Sequence, residues 1–475
     1  MKKIIYIILP VLLLNACTKD ISRFNEETKK PANVPAGPLF SNAVKTLADN
    51  YGSASVNTNV LRFTVKHWAM AVYQEEAQFD FSTRNIPQAW WTTMYRDVLV
   101  DLNESARIIT ADGTILPAVK ANQLAMIDIM QVYTYNILVN TFGDVPYTEA
   151  LDPNVLFPKY DDAKTIQTDL LKRLSADISK LTTTSGSFTA AEDPIYKGNA
   201  ASWLKFANSL RMKMGMTIAD VDVAAAKAAV EASDANAMTS SDDNAKITYL
   251  TASPNTNPLY TDIVLGGRAD YVAAKDLLDT LASLGDPRKS LYFGTNNADQ
   301  YVGGVVGKTN TFSDMSKPNA KVYAADAPVV FMDYVETEFY RAESKERGFN
   351  VAGTAAEHYN NAIKASIIFW GGTAGDANTY LLKPEVAYAT TPGDYKQKIG
   401  FQKWIALYNR PVEGWTELRR LDYPKLSLPV NAKSGFPNRL SYPNNEQQLN
   451  GKNYTAAAAK IGSDKVETKL YWDKF

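Results

Sequence analysis

Nucleophilic and general-base chemistry has few places to reside in this sequence. It holds one cysteine, Cys17, and two histidines, His67 and His358. Neither histidine stands in an H-E-x-x-H metal pattern. No G-x-S-x-G elbow, G-x-G-x-x-G loop or Walker loop occurs, and Gly303-Gly304-Val305-Val306-Gly307 reads as a flexible loop. A serine or cysteine triad needs a positioned base, usually histidine, so no catalytic residue is expected. A glycosidase needs only two carboxylates, and 51 acidic residues leave such a pair open; a solvated face explains any one of them equally well. Asp242-Asp243-Asn244 offers the oxygen ligands that calcium takes, but without EF-hand spacing. No metal and no cofactor is therefore expected.

Cys17 has a different chemistry available. Lys2 and Lys3 precede an apolar run from Ile4 to Leu14, too short to span a bilayer, which takes about 20 residues. The run has the shape of a secretory signal. Leu14-Asn15-Ala16-Cys17 matches a bacterial lipobox, so residues 1–16 are expected to be removed and Cys17 acylated. Several acyl chains anchor stably, because each buried methylene contributes about 0.8 kcal/mol. Residues 17–38, polar and interrupted by Pro31, Pro35 and Pro38, read as anchor and tether, and residues 39–475 as a single globule. The net charge of −1 creates no global field toward nucleic acid. With its one cysteine assigned to lipid, the mature chain must be stabilised by packing rather than by an internal disulfide.

Helical spacing dominates the middle of the chain. Ile166, Leu170, Leu174, Ile178 and Leu181 recur at steps of three and four behind an Asp161-Asp162 cap. Ala200 to Met214 carries a second stripe, Ala121 to Thr141 a longer segment apolar on more than one face, and Tyr334–Arg347 with Ala355–Trp370 a helix pair. Gly143 and Pro146 stop the long helix. Between these lie stretches rich in Asn, Gly, Pro and Tyr, at 248–259, 285–327 and 373–400, expected as long loops with short strands. The fold class is mainly α: tetratricopeptide-like helix pairs with a second, irregular, loop-rich region.

Those loops carry the candidate ligand contacts, Tyr292, Tyr301 and Tyr323. A further candidate is Trp90, with Arg84 and Asn85 in the polar segment before it. Trp91, Tyr95, Val98 and Leu102 share one helical face, and Trp90 is turned by about 100° from it. Its own face runs through Met94, Asp97 and Asp101, so the ring is either a platform for a sugar or packed beneath a long loop.

Several segments together resemble one family. Tyr133 to Leu151, containing Phe142-Gly143-Asp144-Val145-Pro146-Tyr147, resembles a helix end of SusD/RagB proteins. Tyr196-Lys197-Gly198-Asn199 followed by Trp203 to Arg211 is similar to the family's next helix, and Asp286-Pro287-Arg288 to a turn. Glu338 to Glu343, Gln402 to Ala406, Trp415 to Arg420, Pro437 to Pro443 and Lys469 to Lys474 follow in family order, and Trp91, Tyr95 and Asn103 fit a W-x3-Y pattern. The set most resembles the SusD-like 2 branch. The resemblance implies four tetratricopeptide-like units and a surface lipoprotein on the outer membrane of a Bacteroidetes bacterium. It also implies a SusC-like TonB-dependent transporter as partner and capture of a nutrient glycan. A RagB-like peptide receptor and a scaffold that binds only protein are the alternatives. Trp203, Trp415, Arg341 and Arg420 are expected in the core, so the motifs that carry the resemblance do not locate the ligand.

Overall fold

The computed structural model describes residues 34–475. The leader, Cys17 and most of the tether lie outside the described residues. The end of the segment read as tether is helical: helix α1 spans Ala36–Gly52 behind Pro35, with Pro38 in its first turn. Proline is tolerated there because a first-turn N–H has no intrahelical partner. The Ser41 hydroxyl fixes this turn by donating to Glu192 O at 2.6 Å, and Phe40 stacks on Phe188 with centroids 4.4 Å apart.

After strand β1 (Trp68–Met70) comes helix α2 (Ile86–Thr92). It continues through a π-helical stretch, Thr93–Leu99, into α3 (Val100–Ala111). Helix α4 (Pro117–Phe142) is the spine: every side chain from Val132 to Phe142 is buried. It ends at Gly143, whose φ of +88° suits a residue without Cβ. Strands β2 (Val145–Pro146) and β3 (Tyr160–Asp161) pair beyond it. Helix α5 (Ala163–Lys180) starts where Asp162 accepts the Thr165 N–H at 2.9 Å, and buries Ile166, Leu170 and Leu174 as their spacing predicts. Helix α6 (Ala200–Thr217) is capped by Asn199 and followed by α7 (Val223–Ser233).

The second half adds β4 (Ala245–Ile247), β5 (Tyr271–Ala273), α8 (Lys275–Ser283) and β6 (Val329–Met332). It ends with α9 (Tyr334–Glu346), α10 (Ala355–Phe369), α11 (Ala374–Leu381), α12 (Tyr395–Ala406), α13 (Pro411–Leu421) and α14 (Gly451–Lys460). The stretch 373–400 is thus partly helical, with α11 and α12 each started by a capping box. Helices α4/α5, α6/α7, α9/α10 and α12/α13 pack as four successive pairs. A large apolar core runs through the molecule, and a smaller one lies among α9, α10, α11 and α12. The strands form two-stranded antiparallel ribbons: β1 with β5, β2 with β3, β4 with β6. Among the described residues no helix is long and apolar enough to cross a membrane.

Candidate functional site

Immediately after β1 the chain turns outward. Ala71 N–H closes the ribbon on Asp270 O at 2.7 Å, and the next two side chains face solvent: Val72 is 48% and Tyr73 40% exposed. Tyr73 (φ +62°), Phe79 (φ +68°) and Asn85 (φ +51°) all adopt the left-handed conformation that Cβ disfavours. Such geometry persists only where the surroundings over-determine it, and here they do. Phe79 is buried against Phe81 and lies edge-on to Phe436. Gln78 Nε2 donates to Gly307 O at 2.8 Å, and Lys433 N donates to Gln78 O at 2.7 Å. Gly307 must be glycine: a Cβ would lie 2.2 Å from Val430 O, and its φ is +87°. Asp80 then accepts the N–H groups of Ser82 and Thr83, turning the chain back toward α2.

Arg84 ties this corner together. Its Nε bonds the Glu76 carboxylate, which is fully buried, and its guanidinium lies 5.2 Å from the Tyr73 ring centroid. Burial pushes the Glu76 carboxyl up, and Arg84 opposes that shift. The same cation that neutralises the buried acid therefore backs the exposed ring. Asn85 caps the corner at the start of α2, and its side-chain amide has no hydrogen-bond partner among the described residues. A fixed aromatic face beside a guanidinium and a free amide can stack on a flat apolar face and hydrogen-bond hydroxyl groups at its edge. Tyr73 was missed by sequence reasoning. An apolar pair after a short strand is visible, but a left-handed tyrosine is not.

Of the sequence-predicted contacts, only Arg84 and Asn85 meet here. Trp90 is 1% exposed and packs against Tyr51, with centroids 6.3 Å apart. The platform reading of Trp90 is corrected by the π-helical stretch. Its wider turns shift the phase of the helix, so Trp90, Met94, Val98, Leu99 and Leu102 all point inward. Tyr292 is likewise core: it stacks on Tyr408 at 4.1 Å and 11° and donates to Ile405 O. Tyr301 is 37% exposed under the Lys289 ammonium, on the loop that follows the short helix Arg288–Tyr292. Tyr323 is half-buried on a separate 3-10 turn, Ala320–Tyr323. In the Asp242-Asp243-Asn244 run, Asp243 and Asn244 are engaged within the fold and Asp242 is exposed. Both Asp243 oxygens bond Lys205, at 2.8 and 3.0 Å, and one also accepts Thr239 N–H; Asn244 Oδ1 accepts Tyr334 N–H.

A family model described as starch-binding and associating with the outer membrane matches residues 28–443. The chain belongs to the SusD-like family. Among solved structures, a chitin-binding protein is similar at 26% identity and a TM-score of 0.81, covering 93% of this chain and 100% of that one. A chitin-binding SusD homologue from Flavobacterium johnsoniae aligns at 23% identity and a TM-score of 0.74, over 92% and 98% of the two chains. A SusD-like protein from Bacteroides thetaiotaomicron aligns at 22% and 0.77, over 92% and 99%. No curated protein matches the chain.

The motifs shared with SusD-like proteins are structural in this member. Trp203 is fully buried with Nε1 donating to Asp193 at 2.7 Å, and Trp415 is buried with Nε1 donating to Pro437 O. Arg288 is enclosed by Asp286, Gln402 and Ser366. Arg341 pairs with Asp234 and Glu338, and Arg420 with Glu343 and Glu417. The histidines are structural too. Burial holds His67 at a pKa of about 3 with Nε2 against Trp404 O, so it is neutral at physiological pH. His358 sits between Glu338 and Ala352 O. Burial lowers its pKa, but these two partners outweigh burial and raise it.

Proposed function

We propose that this SusD-like protein is a cell-surface lipoprotein that binds a nutrient glycan at the Tyr73–Arg84–Asn85 corner. It then delivers the glycan uncleaved to a SusC-like TonB-dependent transporter. The observation that carries this reading is the Tyr73 ring, exposed yet held by Arg84 on a backbone braced at three left-handed residues. A sugar ring offers a C–H face to stack and hydroxyls to pair. Chitooligosaccharides are the first ligands to test, because a similar solved structure is a chitin-binding protein. Titration of the soluble chain should give binding that Tyr73→Ala weakens by about 2 kcal/mol, the scale of an aromatic hot spot. Tyr73→Phe should retain most of it, since stacking needs the ring and not the hydroxyl. Unchanged affinity in Tyr73→Ala would remove this corner from the site, and binding of peptides in place of glycans would favour the RagB-like alternative.

The membrane attachment proposed for Cys17 has its own test. Replacing Cys17 by Ser removes the thiol that would carry the acyl chain. The protein should then move from the membrane fraction to the soluble fraction. Equal membrane retention would refute the anchor and leave the glycan site untouched.

A further inference from the structure

A cavity of about 320 Å³ opens between β4, β6, the 3-10 turn Ala320–Tyr323 and the C-terminal end of α10. It shares no residue with the Tyr73 corner. One wall is aromatic, formed by Trp370 and Tyr408, whose centroids are 5.4 Å apart. That wall is rigid from behind: Tyr408 stacks on the buried Tyr292, and its hydroxyl donates to Tyr292 O and accepts from Trp68 Nε1. Pro328, Val329 and Val330 add an aliphatic part to the lining. The two rings are inclined to each other at 62°, so an apolar ring can lie on one of them and meet the edge of the other; the volume is at the small end of ligand pockets, about 300–1,000 Å³. One or two sugar rings fit it; a long chain does not.

The charge on the lining narrows the ligand class. Arg410 lines the cavity but is held by Asp333 at 2.9 Å and by the buried Glu336 at 2.6 Å, so its charge is already met from within the protein. Lys246 and Lys321 also line it, and among the described residues neither has a carboxylate within salt-bridge distance. The Lys321 ammonium lies against the turn that follows Trp370, since a Cβ on Gly371 would be 3.3 Å from its Nζ. A cation thus sits beside the turn after Trp370, and Lys246 of β4 adds a second basic residue to the lining. Asn409 adds a neutral donor: its Oδ1 accepts from Arg62, while its Nδ2 has no acceptor among the described residues. An aromatic wall, two lysines without carboxylate partners among the described residues and a free amide N–H complement a ring bearing a carboxylate and hydroxyls.

We infer that this cavity is a second binding site, selective for a small acidic sugar of the uronic acid class. The carboxylate pairs with Lys246 and Lys321, the ring stacks on Trp370, and a hydroxyl accepts from Asn409. The test uses the soluble full-length globule with galacturonic acid as probe and galactose as its neutral counterpart. Galacturonic acid should bind, galactose should bind at least tenfold more weakly, and the difference should shrink as salt is raised. Lys246→Gln with Lys321→Gln should lower galacturonate affinity about tenfold or more. Chitooligosaccharide binding should stay as in the parent, because the two sites share no residue. Trp370→Leu should weaken both monosaccharides, and circular dichroism would confirm that each variant is folded. Equal affinity for galactose and galacturonate, undiminished galacturonate binding in the double lysine variant, or no galacturonate binding at all would each overturn the inference. Binding of benzoate but not of galacturonate would overturn the sugar assignment. If chitooligosaccharides fail to bind while galacturonate binds, chitooligosaccharides are removed as ligands of the Tyr73 corner and this inference stands.

Discussion

Arg420→Met is expected to destabilise the protein by about 3 kcal/mol, measured as a fall in the urea midpoint at neutral pH. Arg420 on α13 makes a two-point contact with Glu343 of α9 at 2.6 and 2.7 Å, and bonds Glu417 at 2.6 Å. All three side chains are buried. Removing the cation leaves two carboxylates in the interior, and breaking one partner out of a buried pair typically costs about 3–5 kcal/mol. The lower end applies because Arg347 still reaches Glu343 at 2.8 Å and Lys403 still reaches Glu417 at 2.9 Å. Burial has lowered the Lys403 pKa, and Arg420 has lowered it further; without Arg420 it rises, and Lys403 compensates in part.

The pH dependence gives this prediction a sign. In the parent, burial would raise the Glu343 carboxyl, but Arg420, joined by Arg347 and Lys403, outweighs burial and holds it at about 2. That is below the unfolded value of about 4.3. The contribution is therefore fully present above about pH 4.3 and lost as pH falls toward 2. In Arg420→Met the main lowering influence is gone, so the buried acid gains stability from protonation. The gap between parent and variant should be widest near neutrality and narrow as pH falls below about 5. A gap independent of pH would mean that Arg420 acts by packing alone. Combining Arg420→Met with Glu343→Met should recover part of the loss, because an apolar replacement removes the stranded charge.

Helices were legible where apolar spacing and caps coincide. Asp162 before Ile166 and Gly143 after Phe142 each mark a boundary that the structure places within a few residues. The buried ion pairs were legible only as family resemblance, since Glu338-x2-Arg341 and Glu417-x2-Arg420 look like solvated helix faces by spacing alone. The loops were the least legible. Tyr292 and Tyr301 stand in the same Asn- and Gly-rich stretch, yet one is wholly buried and the other exposed. Irregular backbone has no period to say which side chains face inward. The corner at Tyr73 depends on left-handed residues that are not glycine, and these are stabilised by contacts from residues 307 and 430–436, remote in sequence.

Trp90 shows how one irregularity can invert a functional reading. By uniform helical spacing its ring stands off the core stripe, either free to meet a ligand or packed beneath a long loop. The π-helical stretch Thr93–Leu99 changes the phase, and the ring is instead enclosed beside Tyr51. Trp90→Ala should therefore cost about 3–5 kcal/mol of stability, the range for emptying an aromatic site in a core. It should leave the affinity for glycans of the variant that remains folded within about twofold of the parent, well under the tenfold that 1.4 kcal/mol represents. Trp90→Phe should cost less than Trp90→Ala. The phenyl ring keeps part of the volume, and the indole Nε1 has no hydrogen-bond partner among the described residues, so none is lost. Urea unfolding of both variants beside titration of the same preparations separates the two roles. An unchanged midpoint with a large loss of glycan affinity would return Trp90 to the binding surface.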